Sequence, residues 1–272
     1  MPGPLIRSWL IDMDGVLVRE EVPIPGADTF VRTLAELAVP YLVLTNNSLY
    51  TPRDLAARLA ASGIEVPERA IWTSALATAR FLGQQSPGGT AYVLGDAGLT
   101  TALHAAGFTM TDRDPDYVVL GETRAYSFDR ITRAIRLVAG GARFIATNSD
   151  TTGPTSSGPL PATGALAALI SRATGVEAYF IGKPNPLMVS SALEALNAHA
   201  ETSAIVGDRM DTDVKSGLEA GMYTVLVLSG STRRADLAQY PYRPSRVVDS
   251  VADLVGDLEH WRGERSVQPR SP

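Results

Sequence analysis

Short, almost uninterrupted apolar runs recur along the chain, and longer stretches with helical spacing separate them. The runs Trp9–Ile11, Tyr41–Leu44, Tyr92–Leu94, Tyr117–Leu120, Phe144–Ala146, Tyr179–Ile181, Ala204–Val206 and Thr224–Leu228 are rich in β-branched, leucine and aromatic residues. A strand covered on one face alternates apolar with polar positions, so continuous runs predict strands buried on both faces. Between them the spacing predicts helices over Pro52–Ser62, Ser74–Leu82, Phe128–Ala139, Leu166–Thr174 and Pro186–Leu196. Thr51-Pro52 reads as an N-cap followed by a first-turn proline. The alternation predicts an α/β protein with parallel sheets.

The middle of the chain carries its own strand–helix series, entered through the Gly/Ser/Pro-rich joint "GQQSPGGT". The expected organisation is a core built from residues 1–80 and 179–262, with residues 81–178 inserted as a smaller α/β domain. Inside the insert lies "SDTTGPTSSGPLPATGA", a long loop-forming segment of the kind that is usually functional or disordered. Residues 263–272 are polar and are expected to form a loose tail.

Composition narrows the chemistry. The 272 residues are long enough for a sizeable core, and a net charge of −5 gives no reason to expect a nucleic acid polymer or an anionic membrane as partner. There is no cysteine, which excludes disulfides, thiol catalysis and Cys-based zinc sites. His104, His199 and His260 are scattered without metal-ligand spacing. No signal peptide and no run long enough to cross a bilayer is visible, so a cytoplasmic protein is expected.

Four polar signals stand at the ends of four expected strands. They are Asp12 and Asp14 after Trp9–Ile11, Thr45-Asn46-Asn47 after Tyr41–Leu44, Lys183 after Tyr179–Ile181, and "GDRMDTD" (Gly207 to Asp213) after Ala204–Val206. Ligands of an open parallel sheet bind beyond the carboxyl ends of its strands, so these signals are expected to share one site. Alternation along the chain lets Asp12 and Asp14 point one way and Met13 the other. Carboxylates without His or Cys make a hard, oxygen-only environment suited to Mg²⁺. Lys183 and the Thr/Asn cluster supply donors for an anion, and a bound cation would reverse the local sign. Carboxylates, Mg²⁺ and Lys together suit phosphoryl transfer.

Each signal alone has a plainer reading. Asp-x-Asp is a common turn or cap, Thr45-Asn46-Asn47 an ordinary turn, Lys183 a solvated surface Lys, and Asp208 and Asp213 helix caps. An EF-hand starting at Asp12 fails, because Leu17 and Pro23 stand where Gly and Glu are needed. No P-loop, Gly-x-Gly-x-x-Gly or Gly-x-Ser-x-Gly is present. A non-catalytic phosphoacceptor module would use a similar residue set, but has no use for a second acid beside Asp12 or for an inserted domain.

With these residues in view, the sequence resembles the haloacid dehalogenase superfamily of phosphatases. "DMDGVL", "LTNN", "GKPNP" and "GDRMDTD" look like its four motifs in order. "TSALATA", "GARFIATNSDT", "ATGALAALI", "VLVLSG" and "YPYRPSRVVDSVADL" are similar to its NagD-type branch, and Val16 stands where many members have Thr. The resemblance implies a Rossmann-like parallel-sheet core with an inserted α/β cap. It implies Asp12 as nucleophile and Asp14 as general acid and base, with a pKa raised by burial and neighbouring carboxylates. It implies Mg²⁺ on Asp12, the Asp14 carbonyl and Asp208, supported by Asp213 and by Asp211 as a further candidate. It implies phosphoryl binding by Thr45, Asn46 and Asn47, with charge offset by Lys183. Asn148 and Asp150, in the cap loop, are the candidate substrate contacts. The implied substrate is a nucleoside monophosphate, with sugar phosphates, phosphoglycolate and pyridoxal phosphate as alternatives.

Overall fold

The computed structural model describes residues 5–19, 21–153 and 158–258. The tail at 263–272 and His260 lie outside the described residues, as does the part of the long loop at 154–157. Two parallel sheets carry the chain. The six-stranded sheet has the order Arg246–Val248, Tyr223–Val227, Ser203–Gly207, Ser8–Ile11, Tyr41–Thr45, Ile71–Thr73. The five-stranded sheet has the order Tyr179–Phe180, Arg143–Ala146, Tyr117–Leu120, Thr90–Leu94, Thr109–Met110.

The chain divides into two compact units. One comprises the chain up to Thr45, Ala56–Ile71 and the chain from Ala192 onward; the other comprises Asn46–Leu55 and Trp72–Ser191. These changeover points differ from the 80/81 and 178/179 of the sequence reading, and Tyr179–Phe180 pairs in the five-stranded sheet, Tyr179 opposite Ile145 and Phe180 opposite Ala146. Strand periodicity reports burial and is silent about which sheet a strand joins.

In the first unit the central strands are apolar because both faces are covered. Ser8–Ile11 and Ser203–Gly207 are buried at every position. Register places Leu10 opposite Ile205 on one side and opposite Leu42 on the other. Helix Ala27–Glu36, which the sequence reading did not include, buries Ala27, Phe30, Val31 and Leu34, the i, i+3, i+4, i+7 stripe of an amphipathic helix. Phe30 meets the Trp9 ring edge-on, with centroids 5.6 Å apart and planes at 87°. In the second unit Leu94, Val118, Leu120 and Phe144 on the sheet pack with Val138 and Ile170 from helices Phe128–Ala139 and Thr163–Thr174. Among the described residues no helix is long and apolar enough to cross a membrane.

Helix Pro52–Ala61 starts where the sequence predicts. Thr51 Oγ1 accepts from Asp54 N–H at 3.2 Å, and the Asp54 carboxylate accepts from Thr51 N–H at 3.1 Å and from its hydroxyl at 2.7 Å, a reciprocal cap. The hydrogen bonds from Thr51 hold the Asp54 carboxyl below its ordinary value of 3.8. Thr51→Ala should cost about 1 kcal/mol of stability at neutral pH in urea denaturation. A depressed folded-state pKa contributes stability above the unfolded value that is lost as pH falls through the folded one. The gap between wild type and variant should therefore narrow as pH drops below the ordinary Asp range.

Candidate active site

Strand Ser8–Ile11 ends at Ile11, and Asp12 N–H still bonds Val206 O at 2.9 Å, which continues the ladder by one residue. Pairing then stops. Leu17 N–H and Val18 N–H both return to Met13 O, at 2.9 and 3.1 Å, and Gly15 N–H bonds Val18 O at 2.7 Å. This turn needs Gly15, whose φ is 84°. It also separates the two acids. Asp12 is buried, whereas Asp14 is exposed. Strand alternation and the expected burial of Asp14 both fail here, because the chain beyond Asp12 is a turn and not a strand.

Asp208 follows strand Ser203–Gly207 directly and is buried. Its carboxylate accepts from Ser231 N–H at 2.5 Å, and its carbonyl accepts from Thr232 N–H at 3.2 Å. A Cβ on Gly15 or Gly230 would collide with this carboxylate. Asp213 is set by a wide helical turn over Met210–Val214, in which Asp213 N–H and Val214 N–H both bond Arg209 O at 3.1 Å. The i→i+5 bond of such a turn is rare and recurs at functional sites. The Asp213 carboxylate accepts from Arg209 N–H at 3.1 Å and the Thr212 hydroxyl at 3.3 Å. Gly207 makes room for it: a Cβ there would overlap the Asp213 side chain.

Asp12, Asp208 and Asp213, all buried, present carboxylate oxygens within 4.8 Å of one another, and this group could hold a metal ion. At an effective dielectric of about 20, two ionised carboxylates at that separation repel by on the order of 3 kcal/mol. A divalent cation among them turns repulsion into attraction, and the all-oxygen donor set suits a hard ion such as Mg²⁺. The Asp14 side chain is not in the group. Asp211 is not either: it is exposed and takes a two-pronged bond from Arg209, at 3.1 and 2.9 Å. Partial burial pushes its carboxyl up, and the Arg209 guanidinium outweighs this and holds it below the ordinary Asp value. Thr45 is the last residue of strand Tyr41–Thr45 and is buried.

The remaining expected residues lie in the second unit. Lys183 is only 3% exposed and follows Tyr179–Phe180, a strand of the five-stranded sheet. The expectation that all four signals end strands of one sheet is therefore corrected for Lys183. Asn46 bonds the Lys183 main chain twice and Asp150 once. Asn47 Oδ1 accepts from Leu49 and Tyr50 N–H at 3.1 and 3.0 Å, which folds the segment into a turn. Asn148 is fully buried; its Nδ2 donates to Asn46 O at 2.9 Å and its Oδ1 accepts from Asp150 N–H at 3.1 Å. Asn148 and Asp150 thus have internal partners where substrate contacts were expected. Sequence reasoning included Gly207 in "GDRMDTD" without a role of its own, and missed Ser231 and Gly230, which stand in "VLVLSGS", where a Gly-Ser pair after an apolar strand is the available signal. It also missed the Ser48–Glu122 pair, in which Ser48 N–H donates to Glu122 at 2.8 Å and Glu122 N–H to Ser48 Oγ at 2.9 Å.

The haloacid dehalogenase-like hydrolase profile matches residues 9–109, and a HAD-hydrolase-like profile matches residues 180–254. A dihydroxyacetone phosphatase of Corynebacterium glutamicum is 61% identical over 91% of this chain and 90% of its own. The ribonucleotide monophosphatase NagD of Escherichia coli is 44% identical over 92% of this chain and 98% of its own. The solved NagD structure superposes with a TM-score of 0.87, covering 91% of this chain and 98% of that one. A 4-nitrophenylphosphatase structure from Thermotoga maritima, 33% identical, superposes with a TM-score of 0.89 over 93% of this chain and 97% of its own.

The packing of Gly207 on Asp213 carries a direct test. Gly207→Ala should displace Asp213, lower the melting temperature, and weaken divalent-cation binding in calorimetry. Unchanged Mg²⁺ affinity would mean that the Asp213 position does not depend on this contact.

Proposed function

The chain belongs to the haloacid dehalogenase superfamily, in its NagD-type branch, and is a phosphatase; from that premise we propose a Mg²⁺-dependent phosphomonoesterase that works through an aspartyl-phosphate. The observation that carries the reading is the trio Asp12, Asp208 and Asp213, buried within 4.8 Å at the ends of two adjacent parallel strands. A Mg²⁺ held by these carboxylates would supply positive charge against the nucleophile and the phosphate. The metal set assigned here is Asp12, Asp208 and Asp213 with the Asp14 carbonyl.

In the first displacement an Asp12 oxygen attacks phosphorus in line, the bond from phosphorus to the ester oxygen breaks, and Asp14 gives its proton to the leaving oxygen. In the second, Asp14 takes a proton from water, the water oxygen attacks phosphorus, and the Asp12 carboxylate and inorganic phosphate are released. The exposure of Asp14 suits a group that gives a proton to the leaving oxygen and then takes one from water in each cycle. Thr45 and Asn47 are assigned to the phosphoryl oxygens and Lys183 to offsetting their charge, on the motifs in which they stand. A non-catalytic phosphoacceptor is set aside because the relatives carry phosphatase names.

For the substrate, the 61% identity to a protein named dihydroxyacetone phosphatase favours a small ketose phosphate. A nucleoside monophosphate is the second reading, supported by the 44% identity to NagD. The reading takes the protein as cytoplasmic, acting on small esters and not on a nucleic acid polymer or a membrane.

Phosphate release should be measured with Mg²⁺ on dihydroxyacetone phosphate, nucleoside monophosphates, sugar phosphates, phosphoglycolate and pyridoxal phosphate. The highest kcat/KM is expected for the ketose phosphate; a nucleoside monophosphate ahead of it would reverse the substrate assignment. Asp12→Asn should lower kcat by at least about a thousandfold on every ester, with Mg²⁺ binding largely kept. Turnover surviving in that variant would remove Asp12 as nucleophile.

A further inference from the structure

Asn46 follows Thr45 in the motif that supplies phosphoryl ligands, which makes its amide an obvious candidate donor to the substrate. We propose that Asn46 is instead a positioning residue: its side-chain amide clamps the main chain of Lys183 and gives nothing to the phosphate. The proposal rests on the reading of Lys183 as the cation that meets the phosphate.

A side-chain amide has two N–H donors and one carbonyl oxygen. Asn46 Nδ2 donates to Asp150 Oδ2 at 2.9 Å and to Lys183 O at 3.0 Å. Asn46 Oδ1 accepts from Lys183 N–H at 2.8 Å. Both donors are committed. Phosphoryl oxygens require donors, and the remaining lone pair on Oδ1 would repel them. Turning the amide over would set Oδ1 against the Asp150 carboxylate and the Lys183 carbonyl, and Nδ2 against the Lys183 N–H. Three favourable contacts would become three unfavourable ones, so the partners determine the orientation.

The clamp takes hold of both main-chain polar groups of one residue, as a neighbouring strand would. That fixes the peptide planes on either side of Lys183 and hence the direction in which its side chain leaves the backbone. The clamp is itself held: Asn46 O accepts from Asn148 Nδ2 at 2.9 Å and from the Ser74 hydroxyl at 2.6 Å. A second observation is the residue before Lys183. A Cβ on Gly182 would lie 2.6 Å from Asn46 Oδ1 and 2.5 Å from Thr147 O, so the amide reaches the main chain only because residue 182 has no side chain. The two roles expected of Asn46 and Asp150 as substrate contacts are thereby replaced by one shared role in holding Lys183.

The test is a cycle of wild type, Asn46→Ala, Lys183→Ala and the double variant, assayed with p-nitrophenyl phosphate and Mg²⁺. Asn46→Ala should lower kcat/KM by about 10²-fold, divided between kcat and KM in the same proportion as Lys183→Ala, and the double variant should be no slower than Lys183→Ala. Multiplied losses in the double variant would make Asn46 an independent substrate contact and overturn the proposal. If Asn46→Ala folds poorly, Asn46→Asp keeps the acceptor for Lys183 N–H but faces Asp150 with a like charge. Adding Asp150→Asn should then recover part of the loss, and a substrate-contact role predicts no recovery. Hydrogen exchange separates the two levels of the claim. The Lys183 amide should exchange at least about tenfold faster in Asn46→Ala whatever Lys183 does in catalysis. Unchanged exchange removes the clamp, whereas wild-type turnover in Lys183→Ala removes the reading of Lys183.

Discussion

Three carboxylates buried within 4.8 Å of one another repel when ionised, and the fold has to hold them together against that repulsion. It does so with main-chain donors and with missing side chains. Asp208 receives Ser231 N–H and lies against Gly15 and Gly230; Asp213 receives Arg209 N–H and lies against Gly207. The strands that deliver Asp12 and Asp208 are neighbours in the sheet, with Ile11 opposite Val206. A divalent cation placed among the three would relieve that repulsion.

The second unit solves a different problem by related means. Its polar residues near Lys183 bond to each other and to the main chain. Asn148, Asp150 and Asn46 form a chain of contacts ending on the Lys183 peptide groups, with Ser74 bracing Asn46 from the other side. Buried polar groups left without partners would be costly, and a network in which each is satisfied is correspondingly rigid. A lysine has four freely rotating side-chain bonds, so rigidity at its root is the one element of its placement that the fold can set directly.

Much of this was legible in the sequence, and the failures have specific causes. Strand Tyr117–Leu120 and helices Phe128–Ala139 and Pro186–Leu196 have the bounds that their patterns predict, because burial on both faces or along one stripe leaves a strong periodic trace. Asp12 and Asp208 were found because each follows an apolar run, and Asp213 because it closes the acidic segment that Asp208 opens. The exposure of Asp14 was not legible, since it follows from hydrogen bonds returning to Met13 O and not from any alternation. The sheet that Tyr179–Phe180 joins was not legible, because two parallel sheets make the same demands on their strands. The commitments of Asn46 were beyond reach, because they involve residues 104 and 137 positions away.

The order in which the chain is made gives the sheet topology another meaning. Ser8 pairs with Ser203, 195 residues on, and the strand Ser203–Gly207 lies between Ser8–Ile11 and Tyr223–Val227. During synthesis the last residue of the Asn46–Leu55 and Trp72–Ser191 unit is made before the strand Ser203–Gly207 of the other unit. Strand Ser8–Ile11 must therefore wait for Ser203–Gly207 before this long closure can form. Asp12 is made 196 residues before Asp208, so the cluster of three carboxylates cannot form until both stretches have been made.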